Sequence, residues 1–80
     1  MQYVYLLNSI AHPDQRYVGF TSNLEAKLKS HKSGAPVHTA KYRPWELTAY
    51  FAFKNERKAR GFEYYLKTGS GKAFSNERFW

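Results

Sequence analysis

The chain contains no cysteine, so neither a disulfide nor a thiolate zinc site can staple it together. It has no apolar run near the ~20 residues that a membrane helix needs. Its start, Met1-Gln2-Tyr3-Val4-Tyr5, lacks the basic-then-apolar order of a secretory signal. A membrane partner is therefore not expected, and a cytoplasmic location is the default. Repeats, low-complexity stretches and linkers are also missing, so residues 1–80 read as a single domain. Acidic residues are scarce, 6 against 13 lysines and arginines, for a net charge of +7. What remains to hold the domain is packing. A chain this short buries only about 60% of the surface its unfolded form exposes, and an aromatic share of 19% is suited to making the most of it.

The basic residues are scattered from Arg16 to Arg78 and not gathered in a tail. A folded basic surface attracts phosphate backbones through charge and counterion release. Charge alone reports attraction and says nothing of specificity.

Tyr3 to Leu7 is a short aromatic and branched run, read as a buried strand. A polar loop with Pro13-Asp14 follows, then a second strand from Arg16 to Phe20; the spacing suggests an antiparallel hairpin. Ser22 with Glu25 three residues later matches a capping box and predicts a helix from there to Ser33-Gly34. Ala35 to Arg43 reads as a basic loop closed by Pro44. Trp45, Leu47, Ala49, Phe51 and Phe53 alternate as one face of a third strand. Asn55 caps a second helix over Glu56 to about Lys67. Thr68-Gly69-Ser70-Gly71 breaks it, Lys72 to Arg78 form a short last helix, and Phe79 and Trp80 pack back. The expected fold is α+β, a three-stranded antiparallel sheet flanked by two to three helices, about the minimum for a stable small sheet.

Ionisable residues interrupt the apolar stripes. Leu24, Lys27, Leu28 and His31 have the spacing of one core-facing helical stripe. Ala59, Phe62, Glu63 and Leu66 have the same spacing, with Glu63 as the intruder. Charges on a buried stripe are costly unless paired or used, although long ones at its edge can reach water. Tyr5 on the first strand and Tyr17 on the second are each, taken singly, ordinary strand aromatics. Facing the two helices, they would meet Lys27, His31 and Glu63. Gly19 forgoes packing within a strand, which hints at close approach of a ligand or another backbone. Lys41, Tyr42 and Arg43, with Trp45 beside them, suit phosphate and base-stacking contacts, or form a solvated loop tethered by two core aromatics. Lys67 and Lys72 flank the break after the second helix and are further candidates for phosphate.

These residues carry a family resemblance. Tyr3-Val4-Tyr5 resembles the GIY element and Tyr17-Val18-Gly19 the YIG element of the GIY-YIG nucleases. Tyr17 to Gly34 is similar to the pattern Y-V-G-Y-T-S-N-L-x-x-R-L-x-x-H-x-x-G of small stand-alone members. Thr39 to Leu47 and Glu63 to Gly71 match further. The likeness extends to the N-terminal domain of excision-repair nuclease subunits, hence to DNA repair, and covers essentially the whole chain. It implies a three-stranded sheet flanked by helices and hydrolysis of DNA phosphodiesters with one divalent metal, Mg²⁺ or Mn²⁺. It also implies Glu63 as the metal ligand, and Tyr5 and Tyr17 as the residues that position and activate the attacking water. His31 matches a position that takes part in proton transfer, and Asn76 lies one position from where some members place a helpful Asn. Lys27, His31 and the metal would lower the phenol pKa values toward neutrality.

Two departures stand out. Lys27 replaces the family's Arg, a compact point charge in place of a planar fork that grips phosphate bidentately. Phe20 stands where some distant members place Lys. Two readings stay open: a metal-dependent endonuclease weakened by Lys27, or a catalytically impaired nucleic-acid-binding module of the same fold. Either implies a nucleic-acid partner, DNA first, and a monomer or weak homodimer.

Overall fold

The computed structural model describes residues 1–80. Three strands, β1 (Gln2–Ser9), β2 (Arg16–Thr21) and β3 (Trp45–Phe53), alternate with four helices, α1 (Leu24–Ser33), α2 (Val37–Ala40), α3 (Glu56–Leu66) and α4 (Gly69–Arg78). The sheet order is β2-β1-β3, with both pairings antiparallel. β1 is central and covered on both faces, which is why Val4 to Leu7 are all buried. No helix is long and apolar enough to cross a membrane.

Because side chains alternate along a strand, β1 serves two faces. Val4 and Leu6 join Ala59 and Leu66 of α3 in the apolar core, with Val18, Phe51, Phe53 and Phe62 packed around them. Tyr5 and Leu7 point the other way, toward α1 and α2. The expected single face of β3 is split. Leu6 pairs with Ala49 but Leu7 pairs with Leu47, a bulge that takes up Thr48 as an extra residue. Ala49, Phe51 and Phe53 thus lie on the core face, and Trp45 and Leu47 on the opposite one.

The helix ends shift from expectation by small amounts with clear causes. Asn23, not Ser22, caps α1: its side chain accepts from the Ala26 amide at 3.1 Å. Asn and Ser cap about equally well, and Thr21 Oγ1 accepts the Asn23 N–H at 3.1 Å, fixing the choice. Gly34 ends the helix at φ 84°, the left-handed position only glycine takes freely. The expected loop after it contains the single-turn α2. Asn55 caps α3 as expected. α4 begins at Gly69, three residues before the expected start, because Thr68 Oγ1 accepts from the Gly71 amide at 3.1 Å. Gly71 sits against the Tyr65–Leu66 backbone with no room for a Cβ, so its lack of a side chain permits close packing of α4 on α3. Phe79 packs back onto Phe51, ring centroids 5.2 Å apart.

Candidate active site

The tyrosine face of the sheet carries a hydrogen-bonded chain. The Tyr5 hydroxyl lies 2.8 Å from His31 Nε2. His31 Nδ1 lies 3.0 Å from Thr39 Oγ1, and Thr39 Oγ1 donates to the Pro36 carbonyl at 3.2 Å. The direction follows from the last link. Thr39 spends its proton on a carbonyl, so it accepts from His31 Nδ1–H. Nε2 is then the bare nitrogen and accepts from the Tyr5 O–H. Tyr5, His31 and Thr39 are all at most 2% exposed. Burial holds His31 below its ordinary pKa, and the charges of Lys27 and His38 add to it. His31 is therefore neutral at pH 7.

Lys27 and His31 do not by themselves lower the Tyr5 phenol. Burial pushes it well above the usual tyrosine range, and the Tyr17 phenol and the Glu63 carboxylate push the same way. Desolvation disfavours a phenolate more than a neighbouring ammonium can compensate. Tyr5 therefore keeps its proton as a donor to His31.

Tyr17 stands beside this chain, its ring centroid 6.1 Å from Tyr5 and 5.1 Å from His31. Unlike Tyr5 it is partly exposed. Gly19 explains the packing. A Cβ there would overlap the Tyr5 phenol ring and hydroxyl, so the close approach is by a side chain of this chain, not by a ligand or backbone. His38 of α2 faces Tyr17 from outside, with ring centroids 5.5 Å apart.

Glu63 reaches the site from the other face. β2 is an edge strand, and a cavity of about 500 Å³ wraps that edge, lined among others by Arg16, Tyr17, Leu66, Lys67, Lys72 and Asn76. Arg16 donates to Asn76 Oδ1 at 2.7 Å and stacks over Trp80 at 4.8 Å. Glu63, one turn before Lys67 on α3, bonds the Lys67 ammonium through Oε2 at 3.0 Å. Of the residues expected at the site, Tyr5, Tyr17 and His31 are in direct contact. Lys27 and Glu63 act on them through charge, and Lys67 pairs with Glu63. Lys72 and Asn76 border the cavity with Tyr17. Lys41 and Tyr42 lie apart, in the turn before β3, while Arg43 lines a second cavity together with His31. Tyr42 is tethered there: its ring lies under Lys41 Nζ at 5.1 Å and edge-on to Trp45 at 6.4 Å. Thr39, His38 and Arg16 were not expected. Thr39 and His38 fall in α2, whose four residues give no periodic signal, and only the place of Arg16 beside Tyr17 hinted at it.

The donor set suits one kind of metal. Glu63 is a single carboxylate, and no group of three or more His, Cys, Asp or Glu side chains is arranged to hold an ion. Its partner Lys67 is 54% exposed, and such an i,i+4 pair contributes only about 0.3–0.5 kcal/mol, so a cation displaces it readily. That fits a hard, largely hydrated divalent ion and not a transition-metal cage.

Fold and site together define a small α+β domain with a buried Tyr5–His31–Thr39 chain on one sheet face and Glu63 on the helix that covers the other. The GIY-YIG catalytic domain model matches residues 1–77, and the chain belongs to the GIY-YIG family, a family of nucleases. It is 37% identical over 68 residues to a UPF0213 protein of Clostridium perfringens, covering 84% of this chain and 71% of that protein. It is 35% identical over 71 residues to the structure-specific endonuclease subunit SLX1 of Debaryomyces hansenii, covering 80% of this chain but only 20% of that subunit. A UPF0213 protein in the ldhD 5′ region of Pediococcus acidilactici is 36% identical over 59 residues, 70% of this chain and 60% of that protein.

Proposed function

We propose that the chain is a metal-dependent endonuclease that hydrolyses DNA phosphodiester bonds. The observation that carries this reading is the directional chain Tyr5–His31–Thr39 set behind the partly exposed Tyr17. A hydrolase needs a proton acceptor that is neutral at working pH, and His31 meets that need while Tyr5 does not. Tyr17 orients the attacking water and takes its proton while passing its own to the Tyr5 hydroxyl, which gives its proton to His31 Nε2. The water oxygen bonds to phosphorus, and the bond from phosphorus to the leaving oxygen breaks. Lys27 offsets the growing charge on the phosphate. Arg16 and Lys72 hold the strand, Lys41 and Arg43 extend the basic surface beyond α2, and Lys67 transfers from Glu63 to phosphate. Glu63 would hold Mg²⁺ or Mn²⁺, which would polarise the phosphate and stabilise the leaving oxygen.

Lys27 favours one further reading, a binding module with little or no cleavage, because a point charge grips a phosphate less well than a guanidinium fork. One experiment separates them: cleavage of plasmid and branched DNA with Mg²⁺ or Mn²⁺ by wild type, Glu63→Gln and Lys27→Arg. Cleavage by wild type that falls about 10²–10³-fold in Glu63→Gln, the scale of losing one charge-stabilising group, supports the enzyme. Activity only in Lys27→Arg supports the impaired module. Cleavage without metal, or untouched by Glu63→Gln, overturns the mechanism.

A further inference from the structure

A second cavity, of about 560 Å³, opens between α1, the α2–β3 turn and the exposed end of β3. Its volume lies in the range that encloses small organic groups, about 300–1,000 Å³. Its walls are Leu28, Trp45 and Leu47, with His31 among the lining and Lys32 and Arg43 as its only charged residues besides. No acid lines it. A partly apolar site with an aromatic wall at Trp45 and only cations as its charges complements a ligand that is apolar and able to stack in one part and anionic in the next. Leu47 is 39% exposed although it is a large apolar residue, so this wall stands uncovered in the free protein.

The cavity adjoins the proposed centre. His31 lines it, and the His31 ring touches Tyr17, which lines the basic cavity around β2. Thr39 ties the two together: its hydroxyl bonds His31, and its carbonyl accepts the Trp45 indole N–H at 2.9 Å. A strand held by Arg16 and Lys72 and passing Tyr17 would bring its next residues to this opening. The bulge at Thr48 is what turns Trp45 and Leu47 toward it.

We infer that this cavity is a subsite for one unpaired nucleobase of the nucleic-acid substrate, with Trp45 as an apolar wall and Lys32 and Arg43 on the adjoining phosphate. The subsite rests on the nuclease reading for its role, but binding tests it without turnover. The protein for the test is full-length Glu63→Gln. Its affinities for a blunt 20-base-pair duplex and for the same duplex carrying a five-thymidine tail are measured at one salt concentration. The tailed duplex is expected to bind about tenfold more tightly, the scale of one base stacked on an aromatic residue. Adding Ala40→Leu, which enlarges a side chain of the cavity's lining and removes no group, brings the ratio near one and leaves blunt-duplex affinity unchanged. Trp45→Leu also brings the ratio near one; should it fail to fold, Ala40→Leu alone decides. A ratio near one in the parent protein, or a ratio that survives Ala40→Leu, overturns the subsite. So does competition by thymidine 5′-monophosphate as tight as the tailed duplex, which would make the occupant a free nucleotide. Cleavage by wild type is scored separately. A protein that never cleaves yet keeps the ratio loses the nuclease reading and retains the subsite.

Discussion

The two faces of the sheet are built from the same strands and differ in kind. The face under α3 has an apolar core: Val4, Leu6 and Ala59 are 0% exposed and Phe51, Phe53 and Phe62 close around them. The face under α1 and α2 buries Tyr5, His31, Thr39 and Ser9 as deeply. Each of those polar groups has a partner, and no buried side-chain nitrogen or oxygen is left without one. One face gains by removing apolar area from water. The other roughly breaks even, because its hydrogen bonds replace bonds to water. The Tyr5–His31–Thr39 chain sits on the second face, whose buried partners can hold and pass a proton.

If the division is real, damage to each face has its own signature. The largest expected effect is Leu6→Ala, which should lose about 2–5 kcal/mol of stability in urea unfolding while cleavage per folded molecule stays unchanged. A fall in specific activity without a fall in stability would break the comparison. Gly19→Ala comes next. Its new methyl group meets the Tyr5 ring, and overpacking of this kind costs about 1–3 kcal/mol. The loss should shrink in a Tyr5→Leu background, since the two sites share one space. An additive double mutant would show that the glycine serves something other than the phenol. Tyr5→Phe keeps the ring and removes only the donor to His31 Nε2. It should cost about 1–2 kcal/mol and lower kcat more than it raises KM.

Much of this division was legible in the sequence. Period-two alternation in β1 and the ionisable intruders Lys27, His31 and Glu63 in two helical stripes marked out both the sheet and the polar face. The caps at Asn55 and Gly34 marked helix ends. Other features were hidden for local reasons. The bulge at Thr48 leaves no trace in an alternating apolar run, so Trp45 and Leu47 were read onto the wrong face. α2 is a single turn, too short for periodicity, and it brings Thr39 and His38. Gly69 and Gly71 read as a break because glycine disfavours helix. The Thr68 cap and the tight packing of Gly71 on α3 outweigh that preference. The direction of the Tyr5 shift needed the third dimension. The sequence shows cations near a phenol but not that the phenol is fully buried.

The smallest expected effect is the pH dependence of stability, and it should arise mainly on the polar face. His31 has a folded pKa held below its unfolded value near 6.5. Between those two values the unfolded chain binds more protons than the folded one, so stability is full above pH 6.5 and declines as pH falls through the window below it. Tyr5 is raised from 10.0. Above pH 10 the unfolded phenol ionises while the folded one does not, so stability declines again as pH rises. Denaturation midpoints from pH 5 to 11 should therefore form a plateau with two shoulders. Tyr5→Phe should flatten the alkaline shoulder, and His31→Gln the acid one. Lys27→Ala should make the acid shoulder shallower, because one charge that opposes His31 protonation is gone and the folded value moves toward the unfolded one. Leu6→Ala should lower the whole plateau and leave both shoulders where they are. Shoulders that move with Leu6→Ala, or persist in both Tyr5→Phe and His31→Gln, would mean that proton binding belongs to neither residue and that the faces are not separable.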